Sequence, residues 1–236
     1  MEPQQKTAAV KRHFDRVASR YDLMNTILSF GLHHLWKRRA VGLLDLAAGE
    51  RVIDVCGGTG DLARLAAPQV APTGGVVLYD INRAMMLAGR AKVTRAGSRQ
   101  RVWFVEGDAE RLAVAEGRLD AALVGFGVRN LARMDEGLRE MHRVLKPGGR
   151  LVILEFSRPH TPLWRWLYDR YSFSLMPRLG QLIAGSKEAY TYLITSIRAF
   201  PSPEEVVDLL RHIGFTQVTY HPLTNGIAMI HRAVKP

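Results

Sequence analysis

The sequence predicts an α/β fold built on a seven-stranded, mostly parallel sheet, and three observations predict it. Between residues 51 and 154, short apolar runs alternate with stretches of helical periodicity, the pattern of strands joined by crossover helices. A glycine-rich turn at 57–60 follows the first run and opens the next helix. Beyond residue 201 a strong helix start leads into two last apolar runs, which add strands to the sheet.

Residues 10–21 place Val10, Phe14, Val17, Ala18 and Tyr21 at helical spacing, with Lys11, Arg12, Arg16 and Arg20 on the other faces. This predicts a basic amphipathic helix, and a second helix is expected over 35–46. Strands are expected at 51–55, 76–79, 102–105, 121–124 and 151–154, with helices running to Ala67, over 84–96 and over 134–145. The last of these helices stops before Pro147-Gly148-Gly149. The alternation then breaks. Residues 158–190 carry Trp164, Trp166, Tyr168, Tyr171, Phe173 and Tyr190 among Arg158, Arg165, Arg170 and Arg178, and are read as a helical insertion after the fifth strand. Trp164 and Trp166, two residues apart, cannot share a helix face, so one is expected to pack inward. Ser202-Pro203-Glu204-Glu205 is a capping-box helix start with proline at the first helical position, and strands follow at 215–220 and 227–232. The expected organisation is one domain over 1–236: a helical cap (1–48), a core (49–157), the insertion (158–200) and a final helix with a strand pair (201–236).

Lysine and arginine total 33 against 22 acidic residues, a formal net charge of +11. Nucleic acid, an anionic membrane face or an acidic substrate could each want that charge. No basic run or RNA-binding signature accompanies it, so nucleic acid is not expected. The polar, basic start lacks the apolar region of a signal peptide, and no apolar stretch approaches the ~20 residues of a span. The expected localisation is cytoplasmic. The single cysteine, Cys56, excludes an internal disulfide and reads as a small packing residue.

The turn reads Asp54-Val55-Cys56-Gly57-Gly58-Thr59-Gly60-Asp61, a place where a backbone can approach a ligand closely. Asp80 ends the second strand, where a carboxylate suits a ribose diol, and Asp108 follows the third, where an adenine amino group could be held. Gly58-x-Gly60-x-x-Ala63 also satisfies a dinucleotide fingerprint, with Asp80 about twenty residues on. Charge separates the two cofactors. A pyrophosphate at the helix N-terminus would meet Asp54 and Asp61, whereas the cationic, phosphate-free S-adenosylmethionine gains from carboxylates.

The sequence also resembles the menaquinone/ubiquinone biosynthesis C-methyltransferase family along nearly its whole length. The resemblance is carried by Phe14-Asp15-Arg16-Val17-Ala18, Tyr21-Asp22, Met24-Asn25, Ser29-Phe30-Gly31-Leu32-His33 and Trp36-Lys37. It continues in Gly107-Asp108-Ala109-Glu110, Phe126-Gly127-Val128-Arg129-Asn130, the segment from Glu140 to the Lys146-Pro147-Gly148-Gly149 turn, and Leu154-Glu155-Phe156-Ser157. Ser196-Ile197-Arg198-Ala199-Phe200-Pro201 and Leu223-Thr224-Asn225-Gly226-Ile227 complete it. It implies a Rossmann-like class I methyltransferase fold, with Thr59, Asp80, Asp108 and Ala109 on the cofactor. With the glycine turn, the expected cofactor set is Asp54, Gly58, Thr59, Gly60, Asp80, Ile81, Asp108, Ala109 and Gly125. Some members carry serine where Gly125 stands.

The implied reaction moves a methyl group from sulfonium to a ring carbon of a reduced, prenylated quinol, with no metal required. Arg129 and Asn130 are expected on the quinol oxygens, stabilising phenolate charge. Tyr21, Asp22, Asn25 and His33 are expected to form a lid, with His33 or Asp22 taking the hydroxyl proton and a lid-ordering role as the alternative for His33. Glu155 is expected either to work in the site or to hydrogen-bond within its loop. The compact length and the lack of an N-terminal extension favour the menaquinone precursor over the ubiquinone one. A nucleic-acid methyltransferase and a non-catalytic cofactor-binding protein are the rival classes. Expected partners are the prenylated quinol, an anionic membrane surface touched transiently through 158–190, and a second copy of the chain.

Overall fold

The computed structural model describes residues 2–95, 97, 101–172 and 187–236. Ala96, Phe173 and Arg178 of the expected elements lie outside the described residues, as does the side chain of Tyr190.

Seven strands form one sheet: β1 (Arg51–Val55), β2 (Gly75–Asp80), β3 (Val102–Glu106), β4 (Leu119–Gly125), β5 (Leu145–Phe156), β6 (Thr216–Leu223) and β7 (Ala228–Val234). Their order is β3-β2-β1-β4-β5-β7-β6. β1 to β5 pair in parallel, and β7 runs antiparallel to both of its neighbours. Strand alternation explains why the central runs are apolar throughout. Val52, Leu123 and Val152 feed the core on one face, while Ile53, Val124 and Ile153 feed the other. The first core is closed by α3 (Leu32–Gly42) and α4 (Asp61–Ala66), through Trp36, Val41, Leu62 and Ala63. The second is closed by α6 (Met134–Val144) and α9 (Pro203–Ile213), through Leu138, Met141, Val206 and Leu210. α5 (Arg83–Arg95) flanks β2 and β3. α9 starts on the expected capping box: Ser202 Oγ accepts from Glu205 N at 3.3 Å and Glu205 Oε2 accepts from Ser202 N at 2.7 Å.

The N-terminal cap differs from the sequence expectation. α1 spans Pro3–Val17, a 3-10 turn covers Ala18–Arg20, and α2 covers Tyr21–Leu28. Residues 3–9 lack the apolar period that marks a helix, yet proline at the start favours one by propensity, and Lys6 Nζ ties the first turns to Leu131 O. The second expected helix starts three residues earlier, at Leu32, after Gly31 in the left-handed region (φ 76°), and ends at Gly42 rather than 46.

In the insertion, α7 (Pro162–Arg170) and α8 (Lys187–Ala199) are helical. Neither Trp164 nor Trp166 packs inward: both are exposed and α7 buries none of its residues. The helix touches the body near its C-terminal end, where half-buried Tyr168 and Tyr171 take the inward positions.

Candidate functional site

Strand order reverses between β1 and β4, so the loops leaving their carboxyl ends diverge and open a crevice. Into it come the glycine turn, Asp80, Asp108 and the Gly125-Phe126-Gly127 corner. One cavity there is lined by Gly58, Asp80, Ile81, Asp108, Ala109 and Gly125, and α1 closes it with Val10, Lys11 and Phe14. Gly107 is forced by the neighbouring strand, since a Cβ would sit 2.0 Å from Tyr79 Oη. Gly58 turns at φ 53°, which aims its N–H at Asp80 Oδ2, 2.8 Å away.

Asp80 Oδ1 accepts from Asn82 N at 2.7 Å, so each oxygen holds one backbone donor and keeps a lone pair for a diol. Burial raises its carboxyl above the ordinary value. Asp108 Oδ1 accepts from Glu110 N at 2.9 Å. Buried Asn82 also donates to Lys11 O (3.1 Å) and Asp15 Oδ1 (3.0 Å), tying α1 down over the cavity. Among the described residues, the lining holds three carboxylates, Asp80, Asp108 and Glu110, against one cation, Lys11, whose ammonium lies 3.7 Å from Glu106. This donor set fits a nucleoside with ribose hydroxyls and positive charge, and opposes a pyrophosphate.

Three other expected cofactor residues sit behind this cavity rather than in its lining. Asp54 is fully buried, with Oδ2 accepting from Ala63 N at 2.9 Å, which pins the first turn of α4. Burial, reinforced by Asp80 and Asp61, pushes its carboxyl up to about 7. Gly60 starts α4 at φ 77°. Thr59 faces Asp22 and Lys92. Asp61 lies between Lys37 and Lys92 at 2.6 and 2.7 Å, so its charge is compensated. The acidity that separates the two cofactors therefore resides in Asp80 and Asp108, not in Asp54 and Asp61.

A second cavity opens between the cap and the insertion. Phe14, Tyr21 and Phe126 line both cavities. Trp36, Phe126 and Phe156 form a ring cluster with centroids 4.4–6.4 Å apart, and Tyr168, Tyr171 and Tyr192 face them across the space. Of the expected catalytic residues, Tyr21, His33 and Arg129 line this cavity, with Asn25 beside them. Tyr21 is raised above the ordinary phenol value by burial.

Arg129 is fixed by Glu155, the strand-end acid the sequence left undecided. Nη1 donates to Glu155 Oε2 at 2.8 Å and to Phe126 O at 2.6 Å, and Glu155 is fully buried. Arg129 Nε has no partner among the described residues, so a donor is left over. Asn130 lines the first cavity instead. Its amide donates to Phe126 O (3.3 Å) and accepts from Tyr192 Oη (3.1 Å), joining the corner to α8.

Thr26 Oγ1 gives its proton to Asp22 O at 2.8 Å, so it accepts from His33 Nε2 at 3.1 Å. This network assigns the Nε2–H tautomer and leaves His33 Nδ1 as a bare acceptor. Burial, then the charges of Lys37 and His34, push this imidazole down to about 4, so the argument from free histidine does not carry over. The ring centroids of His33 and His34 lie 3.9 Å apart, with their planes tilted by 37°. Asp22 lines neither cavity, and both its oxygens are engaged by Thr59 and Lys92.

Sequence reading gave Lys37 no role, although it stands in the Trp36-Lys37 pair, and missed Lys92, Asn82 and Tyr192, which carry no motif. Cys56 packs at the Gly127 corner, where a Cβ on Gly127 would come within 2.5 Å, and burial raises its thiol well above the ordinary value. No group of three or more metal-ligating side chains exists among the described residues, and no described helix is long and apolar enough to cross a membrane.

The profile of the ubiE/COQ5 methyltransferase family matches residues 2–235. The chain belongs to this family. It is 47% identical over 232 residues to the Ubiquinone/menaquinone biosynthesis C-methyltransferase UbiE of Pseudomonas aeruginosa strain PAO1, covering 98% of this chain and 91% of that one. The protein of the same name from Ectopseudomonas mendocina (strain ymp) matches with the same identity and coverage. Among solved structures, the [4+2]-cyclase SpnF superposes with a TM-score of 0.70 at 17% identity, covering 96% of this chain and 95% of that one. A SAM dependent methyltransferase from Aquifex aeolicus gives 0.61 at 18% identity, over 85% and 89%. These two likenesses establish the fold, the Rossmann-like architecture of methyltransferases.

Proposed function

We propose that this protein methylates a ring carbon of demethylmenaquinol, a reduced prenylated naphthoquinone, to give menaquinol. The methyl donor is S-adenosylmethionine. The carrying observation is the pair of cavities that share Phe14, Tyr21 and Phe126, one acidic and one aromatic. When bound, the donor supplies a methyl group already activated by its sulfonium charge. Asp80 takes the ribose hydroxyls, and Asp108 with the Ala109 backbone takes the adenine edge. Holding donor and acceptor in contact contributes up to about 7–11 kcal/mol toward the barrier.

On the acceptor side, Arg129 meets the quinol oxygen and stabilises negative charge as the ring carbon becomes nucleophilic. Its guanidinium cannot swing away, because Glu155 and Phe126 O hold one end. His33 Nδ1 accepts the hydroxyl hydrogen. A base held near pH 4 is a poor match for a resting phenol, so His33 orients the hydroxyl and takes its proton as the methyl arrives. The bound donor would keep the carbon–sulfur electron pair as the ring carbon takes the methyl group, and His33 would return its proton to the ring oxygen as the displaced ring proton leaves to solvent, restoring the quinol.

The cavity walls support a fused ring over a methoxylated benzoquinol. Ser29, Tyr171 and Tyr192 line the cavity, but their hydroxyl protons already go to Asn25 O, Leu28 O and Asn130 Oδ1. Ether oxygens would find few donors there, whereas an apolar benzo ring needs none. The test is methyl transfer to reduced demethylmenaquinone beside a demethylated ubiquinone precursor, each product identified by mass. Faster turnover of the naphthoquinol is expected. Preference for the benzoquinol would overturn the acceptor, and transfer to neither would overturn the reaction.

A further inference from the structure

Four charged side chains behind the glycine turn take no part in the roles above. Lys37 Nζ donates to Asp61 Oδ2 at 2.6 Å, and Lys92 Nζ donates to Asp61 Oδ1 at 2.7 Å. Lys92 also donates to Asp22 Oδ2 at 2.6 Å and to Thr59 Oγ1 at 3.0 Å. Thr59 Oγ1 in turn donates to Asp22 Oδ1 at 2.6 Å. All three ammonium hydrogens of Lys92 thus have acceptors, and two cations balance two anions.

The members come from five separate elements. Asp22 is on the cap helix α2, Lys37 on α3, Asp61 at the start of α4, Lys92 on α5, and Thr59 on the glycine turn itself. Exposure is graded along the chain. The Lys37 and Asp61 side chains are 7% and 9% exposed, Lys92 is 26% and Asp22 is 43%. The inner pair is desolvated and costly to break, while the outer pair meets water and can open. Burial alone would raise the Asp61 carboxyl, but the two ammoniums hold it well below the usual range. The root of the chain is therefore permanently charged.

Sequence neighbours connect the chain to both cavities. Gly58, next to Thr59, lines the donor cavity and donates to Asp80. Tyr21, next to Asp22, is part of the wall the two cavities share. We propose that Lys92 is a positioning residue that latches α2, through Asp22, to the turn carrying the methyl donor, so that donor binding and cap closure form one coupled event. Asp22 can be gripped from both sides only when the turn presents Thr59 as it does here. This rests on the donor-site reading above.

The test uses the full chain with S-adenosylhomocysteine as probe, in wild type, Lys92→Met, Asp22→Asn, the double variant and Lys92→Arg. Affinity is read by calorimetry and amide hydrogen exchange by mass spectrometry. Each of Lys92→Met and Asp22→Asn should weaken binding about tenfold, a usual size for coupling between sites. The double variant should lose no more than either single one, and Lys92→Arg should recover most of the loss. Probe-induced protection of the α2 amides should vanish in Lys92→Met, while β1 stays protected. Unchanged affinity and protection, losses that add, or loss of β1 protection in both Lys92 variants would each overturn the latch. A wild-type chain that does not bind S-adenosylhomocysteine overturns the donor reading instead.

Discussion

His33 is defined less by its type than by the proton it already carries. Nε2 is committed to Thr26, Nδ1 is left as a bare acceptor, and burial keeps the ring neutral far into the acid range. His33→Ala should lower kcat by about 10²-fold, at the lower end of general-base effects. The wild-type rate should show no His33 break near pH 6.5, because protonation begins only near 4. A variant that keeps wild-type kcat would remove His33 from the mechanism. Residue roles were unevenly legible in the sequence. Asp80 and Asp108 could be found because an acid directly after a parallel strand has only the crevice to face. Asp54 and Thr59 stand in the glycine-turn motif, but Asp54 pins the first turn of α4 and Thr59 bonds Asp22 and Lys92, which spacing alone does not reveal. Lys92 left no mark at all, since its partners are 31 to 70 residues away in the chain.

At the scale of an element, α7 exposes a run of large apolar side chains. Leu163, Trp164, Trp166 and Leu167 are 44–65% exposed, and the Arg170 guanidinium lies 5.2 Å from the Trp166 ring centroid. Aromatic rings beside arginines suit the headgroup level of an anionic bilayer, where each basic residue contributes ~1 kcal/mol. We propose that α7 touches the membrane holding the prenylated quinol. Trp164→Ala with Trp166→Ala should reduce co-sedimentation with phosphatidylglycerol vesicles by about tenfold, while neutral vesicles bind neither protein. Equal binding to both lipids, or an unaffected double variant, would argue against it. The composition of this segment was readable, but its packing was not. The sequence cannot show that Tyr168 and Tyr171 would take the inward positions and leave both tryptophans outside. α1 was underestimated for the opposite reason, because its first turns are held by propensity and the Lys6 contact to Leu131 O and give no apolar period.

Over the whole molecule the sheet was the most legible part, because strands buried on both faces must be apolar throughout and those runs stand out. What the sequence hid was the protonation of the core. His231, on β7, is 1% exposed, and burial pushes its imidazole down to about 4. Its folded pKa lies below the unfolded 6.5, so its contribution is fully present above pH 6.5 and is lost as pH falls toward 4. The loss amounts to about 3 kcal/mol, at 1.36 kcal/mol per pKa unit. Stability measured by urea unfolding should therefore fall less steeply between these limits in His231→Phe than in wild type. Identical slopes would assign the acid sensitivity to other groups.

The wall formed by Phe14, Tyr21 and Phe126 also bears on how such an enzyme can diversify. The same three rings bound both cavities, so on the proposed assignment a substitution there would alter donor and acceptor affinity at once and be constrained from two sides. Tyr168 and Tyr192, on α7 and α8, and Tyr171 just past α7 line the acceptor side alone. New acceptor shapes are therefore open to selection through the insertion, while the donor half of the molecule stays as it is.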